Sequence, residues 1–390
     1  MRPIAGTLAL ALVLLLWHPA LSGDTQIGDD AGSMLADLQQ DAREITFGQL
    51  AGWDLDDHQA ALIVLQHLCA NPATGTGRSI KKEVCAALDE KRPAESAKTF
   101  FERAFQPFQL KQSGFLTGYF EPELPASRRS TDRFSYPLYR APENLIRIDE
   151  STRPPGWQEP LTHGMRTTKG VVEAPDRGQI MDGALDGLGL ELVWLDDPID
   201  AFFVHVQGSA RLRLHDGGVM RVGYAGKTGH PYRSIARVLV ERGAGTPEQL
   251  TMSGLRAWLE RHPEERDRLF RENRSHIFFR EVILASPDEG PIGSAGVPLH
   301  AGRSLAVDPQ HYPLGLPVFL SSDLQAIGNG RPFSRLVMAL DTGSAIKGAG
   351  RGDLFVGSGD QAGAIAGEIR HPSVFTVLVP RSLLQKSSGQ

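Results

Sequence analysis

A mainly β protein with helices toward its N-terminus is the fold class the sequence predicts, and three observations predict it. The chain holds 42 glycines and 26 prolines in 390 residues, a density of turn formers that favours short strands over long helices. Helical periodicity dominates only before about residue 113, after which apolar runs broken by Gly and Pro take over. Beyond residue 276 those runs become evenly spaced, the pattern of a small barrel.

Taken in order, residues 1–23 read as a secretory signal. Arg2 precedes the apolar run Ile4–Trp17, and the small residues Ala20 and Ser22 fit a cleavage site before a mature chain starting near Gly23. The run is short of the roughly 20 residues a spanning helix needs. No cysteine stands near the cleavage site, so no lipid anchor is expected, and the predicted location is the periplasm, with association with the outer membrane or wall left open. Residues 24–117 carry the helices. Asp56-Asp57 can cap a run that places Ala61, Leu62, Leu65 and Leu68 on one face, and "AESAKTFFERAF" repeats the pattern at Phe101 and Phe105. The only two cysteines, Cys69 and Cys85, lie here in a chain bound for an oxidising compartment and are a candidate disulfide.

Residues 118–275 are expected to form a first β series, with "LELVWL", "AFFVHVQGSARLRL" and "VMRVGYAG" as strands. Asp216-Gly217 joins the last two as a hairpin. His205 and His215, on either side of that hairpin, could approach one another. One amphipathic segment, 247–262, interrupts the strands with Leu250, Leu255, Trp258 and Leu259 on its apolar face. Residues 276–390 form the second series: "GVPLHAGRSLAVD", "LPVFL", "RLVMALD", "DLFVG" and "SVFTVLVP".

The formal charge of −5 argues against a nucleic-acid partner. There is no G-x-S-x-G elbow, no H-E-x-x-H pair and no Walker loop, and the 12 histidines are scattered, so neither a metal nor a cofactor is expected. Carboxylates remain as the candidate chemistry. Asp341 and Asp353 flank the glycine-rich stretch "ALDTGSAIKGAGRGDLFVGSG", whose glycines suit a turn as well as the close approach of a bulky sugar. If both carboxylates face one cleft, their mutual repulsion and burial raise one pKa, as a glycosidic acid requires.

Six segments then carry a specific resemblance: "GYFEP" (118–122), "DAFFVHVQGSARLRL" (200–214), "GYAGKTGHPYRSI" (223–235), "NRSHIFFRE" (273–281), "GRSLAVDPQHYPLGLPVFL" (302–320) and "ALDTGSAIKGAGRGDLF" (339–355). In this order, across roughly residues 45–382, the chain resembles the family of membrane-bound lytic murein transglycosylase A. The resemblance implies a double-psi β-barrel built from the N-terminal part and the C-terminal three-aspartate domain, with a second β-barrel domain inserted at 118–275 and the glycan in the groove between them. It implies that Asp353 performs the proton transfers, that Asp341 orients it or shifts its pKa, and that Asp308 is a turn residue. The chain departs from the family pattern at "DRGQI" (176–180), at Ser344, His205 and Ala210, and in lacking the lipid-modified cysteine of the best-known members.

For the groove, Thr117 and Tyr119 sit at the expected domain crossing. Gln207 and Ser209 could bond sugar hydroxyls or acetamido groups, and Tyr224 and Tyr232 could stack on sugar faces. Lys227 could meet a lactyl or stem-peptide carboxylate, and Lys347 could pair with an aspartate or with substrate. Gly208, Gly226 and Gly229 serve a hairpin equally well, and a strand tyrosine serves a core equally well. The expected partner is therefore the glycan strand of peptidoglycan, with other cell-wall enzymes as further partners. A two-carboxylate hydrolase and a non-catalytic, expansin-like wall-binding protein stay open beside the transglycosylase.

Overall fold

The computed structural model describes residues 38, 40–71, 80–149, 152–157, 161–283, 289–324 and 332–387. The expected signal at 1–23 lies outside them. Three strands precede the insert: β1 (Ala42–Glu44), β2 (Phe105–Leu110) and β3 (Gly114–Glu121). The next nine are β4 (Glu123–Ser127), β5 (Tyr136–Tyr139), β6 (Leu145–Arg147), β7 (His163–Thr167), β8 (Gly170–Val172), β9 (Glu191–Leu195), β10 (Ser209–Leu214), β11 (Val219–Lys227) and β12 (Ile277–Glu281). The last five are β13 (Ser304–Val307), β14 (Pro317–Ser322), β15 (Phe333–Thr342), β16 (Arg351–Ser358) and β17 (Arg370–Pro380).

Six strands from the two ends of the chain close on themselves in the order β3-β17-β14-β15-β13-β16, with β2 and β1 added outside β17. The expectation of a barrel holds here; the double-psi character belongs to the resemblance. The β13/β15 and β3/β16 pairs are parallel and the others antiparallel. Strands walled on both sides are apolar at consecutive positions, and β13 is buried at all of its residues. Leu305, Val318, Leu336, Met338, Leu354, Phe375 and Val377 fill this core.

The N-terminal helix His58–Ala70 starts where Asp57 accepts from the Ala60 amide, and it buries Ala61, Leu62, Leu65 and Leu68 in the same core. Asp56 holds this region to the barrel, taking both Arg303 guanidinium nitrogens at 2.9 Å and the Leu336 amide at 2.7 Å. Cys69 and Cys85 are disulfide-bonded, joining this helix to Lys81–Asp89.

The inserted strands form a second six-stranded sheet, β12-β11-β10-β4-β9-β5, closed by a bridge between Arg140 and Phe279. A separate three-stranded sheet, β6-β7-β8, packs against it. Gly217 and Gly218, both at positive φ, make the β10/β11 turn, a conformation open to glycine at little cost. β3 belongs to the first barrel as far as Glu121, and β12 belongs to the second as far as Glu281.

One segment differs from its sequence reading. "AFFVHVQ" is helical rather than extended, lying within Pro198–Gln207. Asp197 caps it, accepting from the Ile199 and Asp200 amides, Pro198 opens it, and Gly208 at φ 85° ends it. Those local start and stop signals outweigh the strand-like run of apolar residues. The helix carries His205 to His276, ring to ring at 4.3 Å, while His215 lies by Phe134; the two histidines flanking the turn do not meet. The amphipathic segment is the helix Met252–Arg261, with Leu255, Trp258 and Leu259 buried and Leu250 buried just ahead of it.

Candidate active site

β13 is the axis of the site. Ala306 on this strand is opposite Asp353 of β16 on one side and Asp341 of β15 on the other, and Asp353 is in turn opposite Thr117 of β3. Residues paired in register across neighbouring strands point to the same face, so Thr117, Asp353, Ala306 and Asp341 form one row. Two strand spacings put the aspartate Cα atoms roughly 10 Å apart, and Ala306, on the strand between them, adds no more than a methyl group to the row. The row depends on an irregularity: Leu305 pairs with Ala339 but Ala306 pairs with Asp341, skipping Leu340. This extra residue turns Asp341 onto the face of Asp353.

The two carboxylates are solvated differently by protein. Asp341 Oδ1 accepts from the Ser294 amide (3.0 Å) and hydroxyl (2.9 Å), and Oδ2 accepts from the Tyr119 hydroxyl (2.8 Å). Burial raises its pKa, and these donors work against the rise. The Tyr119 phenol is itself pushed well above 10, first by burial and then by Asp341, and so remains a donor. Among the described residues Asp353 has one side-chain donor, the Thr117 hydroxyl at 2.5 Å on Oδ1. Arg351 Nη2 donates to Thr117 Oγ1 at 2.8 Å, which leaves the threonine's own proton for Asp353. Burial lifts Asp353 to about 6; Thr117 and Arg351 pull it down, and the Asp341 charge adds to the rise. The result is one carboxyl poised to change protonation near neutrality beside one held by several donors.

Among the residues singled out in the sequence, the fold brings Asp353, Asp341, Thr117 and Tyr119 together. Tyr232, in the insert, has its phenol pushed up chiefly by burial, with the Asp353 charge a smaller contribution to the rise. Lys227 Nζ crosses from the second barrel to Ser344 Oγ at 3.4 Å, in the loop after Asp341. Lys347 lies 3.6 Å from Asp308 rather than beside Asp341 or Asp353. Asp308 is buried and accepts from the Gly348 and Gln310 amides, which fits a turn. Gln207 accepts the Phe120 amide on its side-chain oxygen at 3.1 Å, bracing the insert against β3. Ser209 is buried in β10, and Tyr224 stands exposed on β11.

Arg351 and Ser294 were not singled out. Arg351 lies two positions before Asp353 on β16, so a period-two reading places it on the same face; Ser294 touches Asp341 only through long-range folding. Among the described residues no group of three or more His, Cys, Asp or Glu side chains is arranged to hold a metal ion.

The MltA specific insert domain matches residues 115–280 and the 3D domain matches residues 303–379. The crystal structure of a membrane-bound lytic murein transglycosylase from Agrobacterium tumefaciens is 40% identical, with a TM-score of 0.80, covering 89% of this chain and 99% of that one. The chain belongs to the membrane-bound lytic murein transglycosylase A family. MltA from Neisseria gonorrhoeae is 32% identical over 87% of this chain and 92% of its own, with a TM-score of 0.70. Membrane-bound lytic murein transglycosylase A of Vibrio cholerae is 33% identical over 268 residues, 67% of this chain and 64% of its own length. The Escherichia coli K12 protein of the same name is 33% identical over 263 residues, 65% of this chain and 62% of its own. These two alignments thus span less than two thirds of the relatives' lengths. In this family frame, the aspartates lie at the ends of two strands inside the matched 3D domain, and Tyr232 and Lys227 come from the matched insert. Among the described residues no helix is long and apolar enough to cross a membrane.

Proposed function

We propose that this chain is a peptidoglycan lytic transglycosylase that cleaves the β-1,4 bond between N-acetylmuramic acid and N-acetylglucosamine without water. Protonated Asp353 gives its proton to the glycosidic oxygen as that bond breaks and an oxocarbenium-like centre develops at C1 of the muramic acid. The resulting carboxylate then takes the proton of the muramyl C6 hydroxyl as its oxygen attacks C1. The product ends in 1,6-anhydromuramic acid, and Asp353 is protonated again. No cofactor enters the cycle, and the substrate supplies its own nucleophile.

The observation that carries this reading is the asymmetry between the two carboxylates. A group that must be acid first and base second needs a pKa near the working pH, and Asp353 at about 6 meets that requirement. Asp341, under its several donors, supplies the charge that helps hold the Asp353 proton and faces the developing positive centre. A domain arrangement in which Lys227 of the insert meets Ser344 in the loop after Asp341 supports a glycan lying between the barrels. The setting proposed is the periplasm, reached through the signal read at 1–23.

Mass spectrometry of the soluble products released from purified sacculi tests the reading. Muropeptides one water lighter than reducing ends are expected. Reducing muramic acid ends would show a hydrolase, and intact sacculi that retain bound protein would show a wall-binding protein.

A further inference from the structure

The glycan backbone of N-acetylated sugars is uncharged, yet the edge of the proposed groove is cationic. Arg147 of β6 is opposite His163 of β7, and the stretch just after β11 lies against His163, the Thr162 amide donating to the Gly229 carbonyl at 3.2 Å. A Cβ on Gly226 would come within 2.9 Å of the Leu145 side chain, so the three-stranded sheet is seated on the end of β11. This contact gathers Arg147 and half-buried Lys227 on the insert's side. Lys227 then reaches Ser344, three positions beyond Asp341, and exposed Lys347 stands in the same loop. Tyr224, 47% exposed on β11, has its hydroxyl within electrostatic reach of Arg147.

Little offsets these charges. Lys347 lies beside Asp308, whose oxygens already serve the Gly348 and Gln310 amides, and the Lys347 side chain remains 61% exposed. No carboxylate among the described residues contacts Arg147 or Lys227. Burial lowers the Lys227 pKa, and the charges that add to that fall, Lys347 and Arg147, are both cations. His163 is lowered to about 4, by burial and then by Lys227 and Arg147. Arg147 and Lys227 without a carboxylate of their own among the described residues, and Lys347 exposed beyond its one contact with Asp308, form at this groove edge a site for an anion.

We propose that Arg147, Lys227 and Lys347 bind a free carboxylate of the stem peptide carried by muramic acid, and so select stem-bearing strands over bare glycan. This rests on the lytic reading of the same groove. In a murein strand the only regularly placed carboxylates near the scissile bond belong to that peptide, which hangs from the lactyl group of the sugar whose C1 is attacked. A guanidinium and two ammonium groups suit a carboxylate that can shift position along a flexible peptide.

The test compares binding of stem-bearing and amidase-stripped glycan strands to the Asp353→Asn protein at low and high salt, with and without Arg147→Gln and Lys227→Gln together. Stem-bearing strands are expected to bind about tenfold more tightly, with the ratio collapsing toward one in the triple variant and at high salt. Equal binding of the two strands, or a ratio that survives both substitutions, overturns the proposal. Cleavage of the same strands by the unsubstituted protein reports separately on the lytic reading, because the binding ratio needs no turnover.

Discussion

Replacing Asp353 by Asn is expected to abolish cleavage and, at neutral pH, to make the protein more stable. The folded protein holds the Asp353 carboxyl at about 6 against an ordinary value of 3.8, chiefly because burial penalises the charged form. Between these values the folded state binds the proton more tightly than the unfolded one. The stability linked to this proton is therefore fully present below about pH 3.8 and is lost as pH rises through about 6. At about 1.4 kcal/mol for each tenfold difference in proton affinity, the interval is worth about 3 kcal/mol. The asparagine never ionises, keeps an oxygen for the Thr117 hydroxyl, and escapes that penalty. Urea unfolding at pH 7.5, 5 and 3.5, with the disulfide intact, measures the difference. The variant should gain about 3 kcal/mol at pH 7.5, less at pH 5 and almost nothing at pH 3.5. No gain at pH 7.5, or a gain that is the same at every pH, would refute the argument that burial of this carboxylate is a cost borne for activity.

The remaining predictions concern the groups that support the site. Thr117→Val removes a donor that pulls the Asp353 pKa down, so the alkaline limb of the kcat/KM profile, where the acid loses its proton, should move to higher pH while kcat falls; an unmoved limb would disprove the link. Asp341→Asn should lower kcat on the order of 100-fold with little change in KM, checked by steady-state kinetics on soluble muropeptide strands. Arg221 lies 2.8 Å from fully buried Glu121 across the junction of the two barrels; Arg221→Met should cost about 3–5 kcal/mol, and adding Glu121→Gln should recover most of it in urea unfolding. Replacing Cys69 and Cys85 by Ser, a pair separated by 16 residues, should cost about 3 kcal/mol by the same assay.

What the sequence by itself determined is local in kind. Glycine and proline spacing marks the strand-rich class, Asp216-Gly217 marks the hairpin, and the apolar face at Ala61, Leu62, Leu65 and Leu68 marks the first long helix. The helix at Pro198–Gln207 was legible through Asp197, Pro198 and Gly208, but those signals compete with a run of apolar residues that also suits a strand. The motif order pointed to Asp341 and Asp353 as the chemistry. Their functional difference, however, depends on neighbours far away in the chain: Thr117 is 236 positions from Asp353, and Ser294 is 47 from Asp341. Lys347 illustrates the limit, since its place between the two aspartates in sequence says nothing of Asp308, which the turn brings to it. Above all, the irregular pairing opposite Ala306 is a property of three strands in register. A strand alternates faces at every residue, so a single skipped position decides whether Asp341 faces Asp353 or turns away from it, and no reading of one strand's sequence can supply that register.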